Sequence, residues 1–478
     1  MVLSNKYKRL GKNTFFVFVG NASAKLLGLL MLPFYTSWLT VDDYGLTDIL
    51  TVYAVFLLNI VSCCISEAIF IFPKDVSKAQ QRSYFSSGLS FAGVAFLLLF
   101  ILFSCINIFV YYYDFHNSFV DNLSLIYAML VAMFIQQYMQ QFVRSIDKMK
   151  VYSITGIVLT ITTALFSFFL IPEWGVKGYI FAIVLANLVS SFYTFYFSKA
   201  YLFWNIRSIS KKHCLEMLRY SIPMVPNGIM WWLVSAFNRP LMEGNLGLQS
   251  VGLFAVANKF PGILSMIFAV FFTSWQISVI EEFKKEDYES FFNKMLRLVV
   301  IVLFVIFVML TLCCKYFIFL LVEPAYYEAW KFIPVLTLGA VLLSISGMLG
   351  SNYLPARQSK YFFYTSVWGA ASAIIFNLLL IPVWGIMGAS VSILLSFGVT
   401  VLTRAIYAKK YVRIKNLALY MVTIMMAICV IVSNLFLEDV YNLAVVASLL
   451  SVFLLLNYKY FVGILGLMKQ LGNRLRGQ

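Results

Sequence analysis

"LIPEWGVKG" at Leu170–Gly178 and "LIPVWGIMG" at Leu380–Gly388 are one short connection written twice, identical at six of nine positions and 210 residues apart. The residue types describe a tight turn, because proline fixes φ and glycine admits a positive φ. A good turn explains the letters but not their spacing. Each copy follows a long apolar run and leads into another. The register continues toward the front of the repeat. There "VDDYGLTDIL" (Val41–Leu50) answers "LQSVGLFAVA" (Leu248–Ala257) at an offset of 207, with Gly45 and Gly252 in the same place. The chain reads as an internal duplication.

Composition says what was duplicated. Of 478 residues, 62% are hydrophobic and only 12% charged, where a soluble domain carries about 25% charged residues. Apolar stretches long enough to cross a bilayer core of roughly 30 Å recur from end to end. They are continuous rather than alternating, which argues for helices over a β-barrel. Fourteen spans are predicted, at 13–38, 46–72, 84–113, 119–142, 151–172, 178–198, 221–242, 250–280, 298–322, 331–354, 362–382, 386–407, 416–437 and 442–467. The basic start "NKYKRLGKN" (Asn5–Asn13) precedes an apolar stretch too long for a signal peptide, so it reads as a retained first helix.

Charge sets the orientation. With the N-terminus inside, thirty Lys/Arg face the cytoplasm and three (Lys177, Arg239, Lys331) lie in outer loops. That is the positive-inside asymmetry, and it accounts for the net charge of +16 without nucleic acid. Both copies of the nonapeptide then join the fifth and sixth spans of a six-span unit on the outer side. Six is even, so both units insert with the same orientation. The expected architecture is an all-α polytopic membrane protein of about 14 transmembrane helices with both termini cytoplasmic. Residues 1–210 form an N-terminal six-helix lobe and 211–415 a C-terminal one. Residues 416–478 add a helix pair and a cytoplasmic tail. Duplication of this kind is characteristic of transporters, in which two similar bundles rock about a cavity.

Charges inside spans are the candidate functional groups. Lys25 lies near the middle of the first span, on one helical face with Asn21 and Gly28. It lines a polar cavity or pairs with Glu67 in the second span. Lys259 sits in "ANKFPG" (Ala257–Gly262), where Pro261 and Gly262 predict a kink in the eighth span. Arg239 follows Asn238 near the outer end of the seventh span, as a cavity cation or a snorkelling one. Lys315 reads as snorkelling. Glu67 is the only carboxylate well inside a predicted span, a counter-ion, an ion-coupling site or an interfacial residue. The cations Lys25, Lys259 and Arg239, with Asn21, make a site for an anionic group such as a phosphate or pyrophosphate. Trp231 and Trp232 either stack on a sugar or pack against lipid. The segment Glu281–Arg297 reads as a helix at the inner surface or as a solvated loop.

Other chemistries find little support. None of the seven cysteines lies in an outer loop, His116 and His213 lie on opposite sides, and no CxxC occurs. No metal or cofactor is called for. Asp42 and Asp43 resemble the carboxylates of a membrane glycosyltransferase or polymerase, but read better as residues at a helix boundary. A cation-coupled drug antiporter needs an acidic cavity, and the first and seventh spans contain no carboxylate.

Two longer stretches carry a family likeness, "LGKNTFFVFVGNASAKLLGLLMLPFYTSWLTVDDYG" (Leu10–Gly45) and "LRYSIPMVPNGIMWWLVSAFNRPLMEGNLGLQSVGLFAVANKF" (Leu218–Phe260). With the paired nonapeptides, they make the whole chain resemble the O-antigen-type oligosaccharide flippases of the multidrug/oligosaccharidyl-lipid/polysaccharide exporter superfamily. The resemblance implies a V-shaped pair of six-helix lobes around a cationic cavity. It implies translocation of undecaprenyl-pyrophosphate-linked oligosaccharide from the inner to the outer leaflet of a bacterial cytoplasmic membrane. Its expected partners are membrane lipid and the polymerase and chain-length regulator of the same glycan pathway.

Overall fold

The computed structural model describes Leu27–Asp114, His116–Ala356 and Gln358–Tyr458. Asn21 and Lys25 lie outside the described residues. Sixteen α-helices lie wholly within the described residues: α1 (Leu32–Trp38), α2 (Val41–Val61), α3 (Ile65–Ile71), α4 (Lys78–Tyr113), α5 (Leu123–Ser145), α6 (Met149–Phe197), α7 (Lys211–Ser221), α8 (Val225–Ser235), α9 (Asn238–Leu246), α10 (Leu248–Ala257), α11 (Lys259–Glu282), α12 (Tyr288–Leu321), α13 (Ile333–Gly350), α14 (Ser359–Ala408), α15 (Leu417–Phe436) and α16 (Asp439–Leu456). No strand occurs among the described residues. Ten helical segments there are long and apolar enough to cross a membrane.

Two of those segments, α6 and α14, are helical hairpins. At 1.5 Å per residue each would be about 75 Å long if straight, more than twice a bilayer core. Each contains one residue that no helix accommodates, Gly175 (φ 54°, ψ −126°) in α6 and Gly385 (φ 58°, ψ −133°) in α14. The arms fold back on one another. Thr155 and Thr194 share a hydroxyl contact of 2.8 Å, and Lys148 Nζ donates to the Ser198 carbonyl at 2.5 Å. In the second hairpin Lys410 Nζ reaches the Tyr361 hydroxyl at 2.9 Å. These pairs are centred within two residues of Gly175 and Gly385. The two nonapeptides therefore adopt one backbone turn. The second glycine of each copy recurs too, for a Cβ at Gly178 would run into the Leu170 carbonyl oxygen and one at Gly388 into that of Leu380. Counting each hairpin as two crossings gives twelve among the described residues.

Three predicted spans are interrupted. In the seventh, α8 stops at Ala236 and α9 begins at Asn238. Pro240 cannot donate to the Ala236 carbonyl, which breaks the ladder there. In the eighth, α10 ends at Asn258 and α11 begins at Lys259. Pro261 stands in the same relation to Ala257, so the expected kink falls just ahead of the proline. In the second, Cys63 (φ 48°) and Cys64 (φ 53°) are consecutive left-handed residues between α2 and α3. Neither proline nor glycine accounts for that break.

Two helix starts lie earlier than the sequence predicts. Val41 opens α2 behind a capping box in which the Asp43 amide donates to Thr40 Oγ1 at 3.1 Å and the Thr40 amide to Asp43 Oδ2 at 3.4 Å. Asp42 and Asp43 are thus first-turn acids that suit the helix dipole. Gly45 and Gly252 each sit one turn inside their helix, α2 and α10.

The chain divides into two compact units. Unit 1 comprises Met1–Lys259, Leu321–Tyr327 and Ala373–Ala389. Its apolar core includes Leu50, Ile69, Phe85, Ile126, Met129, Phe142 and Ile180, all buried. The long connection after α6 is fastened to α4. Ser86 Oγ donates to the Phe203 carbonyl at 3.1 Å, the Ser210 amide to Ser87 Oγ at 2.8 Å, and Tyr84 to Glu216 at 2.9 Å.

Unit 2 comprises Phe260–Leu320, Glu328–Ser372 and Ser390–Gln478. Trp275 lies buried against Phe291 and Phe292 and donates to Ser351 Oγ at 3.0 Å. Segment 281–297 is therefore neither a surface helix nor a free loop. It is the end of α11, a short turn and the start of α12, with Tyr288 and Phe292 buried. The added pair α15–α16 packs on α12 through Phe304–Phe453 rings 4.2 Å apart and an Asn434 Nδ2 bond to the Thr311 carbonyl at 3.1 Å. Lys315 is not simply snorkelling. It pairs with Asp439 at 2.7 Å and lies 4.7 Å from the Trp330 ring centre.

Candidate functional site: a tyrosine-lined lysine beside a buried ion pair

Unit 1 gathers Lys259 and Arg239 near α2, and the helix breaks described above place both. Because α8 ends at Ala236, the Ser235 carbonyl has no amide four residues on. The Arg239 amide bonds the Ala236 carbonyl at 3.1 Å instead. The Arg239 guanidinium folds back and caps the orphan, donating through Nη1 to the Ser235 carbonyl at 2.6 Å. Nη1 also donates to Asn238 Oδ1 at 3.1 Å, and Nε to Asp48 Oδ2 at 3.1 Å. The Phe254 ring lies 5.0 Å away. Arg239 is 6% exposed, so snorkelling does not describe it. Asn238 is buried as well, and its amide nitrogen has no partner among the described residues. One turn further along α9, Glu243 accepts from the Tyr53 hydroxyl at 3.3 Å.

Lys259 differs. It is the first residue of α11, half-buried, with its ammonium 6.0 Å from the Tyr44 ring centre. Tyr44 touches Tyr35 at 6.4 Å and Tyr326 at 6.1 Å between ring centres, and Tyr35 meets Tyr179 edge-on at 5.4 Å. Tyr35 and Ser167 share a hydroxyl contact of 3.2 Å, and Tyr326 donates to the Leu39 and Thr40 carbonyls at 2.9 and 2.8 Å. No carboxylate lies within 4.0 Å of Lys259 among the described residues. The ammonium lies at the outer edge of cation–π range of one ring, Tyr44, and stays available to an anion.

The other candidates fall apart from this centre. Glu67 is half-buried in α3, just past the left-handed pair, and no Lys or Arg lies within ion-pair distance of it among the described residues. Trp232 serves packing. Its ring lies 4.3 Å from that of Phe56, and its Nε1 donates to the Val52 carbonyl at 3.3 Å. Trp231 is 54% exposed.

Asp48 and Glu243 are the residues sequence reasoning missed. Asp48 lies in α2 with Arg239 as its partner, so Glu67 is not alone among intramembrane carboxylates. The hydropathy boundary put Asp48 at a span's edge and Glu243 in a loop. The run "VDDYG" closed by a glycine concealed a capping box, and with it seven residues of α2 ahead of Asp48.

A sequence profile described as "Polysaccharide biosynthesis protein" matches residues 10–280, more than half of the chain. Among curated protein sequences no relative matched. Among solved structures, the lipid II flippase MurJ in an inward closed conformation superposes with a TM-score of 0.68 at 14% identity, over 94% of this chain and 99% of that one. The MATE transporter VcmN of Vibrio cholerae gives 0.59 at 12% identity, over 85% and 97%. A MOP superfamily transporter from Pyrococcus furiosus gives 0.57 at 14% identity, over 84% and 96%. The chain has the fold these transporters share.

Proposed function

The chain belongs to the polysaccharide biosynthesis protein family, and from that premise we propose that it is a flippase. It moves polyprenyl-pyrophosphate-linked oligosaccharide from the inner to the outer leaflet of a bacterial cytoplasmic membrane, for O-antigen, capsule or exopolysaccharide assembly. The neighbouring MurJ structure is titled a lipid II flippase, which supports a lipid-linked substrate.

The observation that carries the reading is the contrast between the two cations. Arg239 has its own counter-ion in Asp48 at 3.1 Å. Lys259 has none among the described residues and stands among tyrosine rings. An intramembrane ammonium without an internal anion is suited to an external one. A pyrophosphate supplies the charge, and tyrosine faces and hydroxyls suit the first sugar. Lys25 and Asn21 join Lys259 as substrate-binding residues in this proposal, and Arg239 shapes the site through α8 and α9. Glu67 is the candidate for ion coupling. The prenyl tail stays in lipid while the six-helix lobes rock to alternate access. With the cell interior negative, each headgroup charge moving outward gains about 2.3 kcal/mol per 100 mV. The polymerase and chain-length regulator of the same pathway are the proposed partners.

Purified protein in proteoliposomes, given a fluorescent lipid-linked oligosaccharide, tests the proposal. Lys259→Ala and Lys25→Ala are each expected to lose transport at normal abundance, while the Arg replacements retain part of it. Full transport by Lys259→Ala would remove the lysine from the mechanism. Uptake of cationic dyes, with no movement of the glycolipid, would favour a drug antiporter. The Asp48 carboxylate argues against that alternative, because Arg239 already occupies it.

A further inference from the structure

Arg404 lies outside the site described above. Hydropathy places it with the cytoplasmic cations, yet it is 7% exposed, on the second arm of hairpin α14. Its Nη1 donates to the Ser346 carbonyl at 2.9 Å and to Ser346 Oγ at 3.3 Å, and its Nε to Thr365 Oγ1 at 3.4 Å. The Phe362 ring covers it at 4.3 Å. Nη2 has no partner among the described residues and is not among the fully buried polar atoms. The guanidinium thus keeps two N–H groups open.

No acid among the described residues balances this charge. No ion pair to Arg404 occurs among the described residues. The sequence contains no Asp or Glu between Glu328 and Glu438, against eight Lys and Arg in the same interval. A buried cation without a counter-charge is strongly unfavourable.

The repeat shows that the hairpin itself does not require it. At the 210-residue offset, Arg404 answers Thr194 and Thr365 answers Thr155. The first hairpin closes at this point with two neutral hydroxyls 2.8 Å apart. The second carries a full charge in the same place.

Depth indicates what the charge meets. Arg404 follows the outer turn at Gly385 by about 28 Å of helix, nearly the thickness of the hydrocarbon core. That is the level of the inner-leaflet phosphates. The basic run "AKKYVRIK" (Ala408–Lys415) follows at once and draws anionic headgroups to this end of the hairpin.

We infer that Arg404 is a binding site for a phosphate group at inner-leaflet depth, with Ser346 and Thr365 fixing the guanidinium so that Nη2 faces the ligand. Guanidinium suits phosphate because its planar fork matches phosphate oxygens.

The test uses the full chain in detergent, titrated separately with phosphatidylglycerol, a phosphate-free diglycosyl diacylglycerol and inorganic phosphate. Native mass spectrometry and thermal unfolding report binding. Wild type is expected to retain phosphatidylglycerol at least about tenfold more tightly than the glycolipid. Arg404→Thr recreates the pair that closes the first hairpin, so it should fold and lose this preference. Arg404→Lys should keep part of it. Displacement of the phospholipid by millimolar inorganic phosphate would identify free phosphate as the ligand's source. Equal retention of the two lipids by wild type, or an unchanged preference in Arg404→Thr, overturns the inference. The wild-type comparison needs no variant, so the inference stays refutable even where a substitution unfolds the chain.

Discussion

Gly45 and Gly252 face each other across a reciprocal contact. A Cβ on Gly45 would collide with the Leu248 carbonyl oxygen, and a Cβ on Gly252 with the Val41 carbonyl oxygen. Leu248 is to Val41 what Gly252 is to Gly45, each pair 207 residues apart. The contact is therefore self-complementary, as across a local twofold axis. Both α2 and α10 begin here, and the glycines let their first turns touch backbone to backbone.

Gly45→Ala and Gly252→Ala should therefore each destabilise the protein by about 1–3 kcal/mol through overpacking. Thermal unfolding in detergent measures this. Gly244→Ala is the control, since a Cβ there meets nothing within 4 Å. Equal stability of all three variants would contradict the contact.

The hairpin turns should respond alike. Gly175 and Gly385 share a positive-φ conformation that side chains rarely adopt, so alanine at either costs about 1–3 kcal/mol. The two losses should agree within experimental error, and a large difference would mean that the copies do not turn in the same way.

The Asp48–Arg239 pair predicts a sign reversal. Asp48→Asn leaves a buried guanidinium uncompensated and should cost about 3–5 kcal/mol. Adding Arg239→Met should recover much of that loss. A double-mutant cycle on unfolding reads the coupling. Additive losses would show that the pair contributes nothing.

His116, in the connection between α4 and α5, should give a pH signature. Hydrogen bonds and charge from Asp121, then Asp114, raise its pKa above the ordinary 6.5. Its folded value exceeds its unfolded one. The stabilisation is thus complete below about pH 6.5 and fades as pH rises through the folded value. Hydrogen exchange in residues 114–122 should quicken over that window beyond its intrinsic rise with pH. His116→Gln should abolish the excess.

How legible the sequence was depended on whether a feature repeated. The nonapeptides, the matched glycines and the charge asymmetry were readable, because each appears twice or sums over many loops. The break at Lys259 was announced by Pro261. The left-handed pair Cys63–Cys64 had no residue signature at all. The partnership of Asp48 with Arg239 was hidden because 191 residues separate them. Arg404 was hidden for another reason. Hydropathy windows treat a cation near the end of a run as exposed, and only packing against Ser346 and Thr365 shows otherwise.

The shared geometry of the two nonapeptide turns makes them exchangeable parts. Neither Glu173 nor Lys177 is needed to shape the bend, since Val383 and Met387 occupy those places in the other copy. The charge displayed at such a corner can therefore change while the scaffold beneath it keeps its shape.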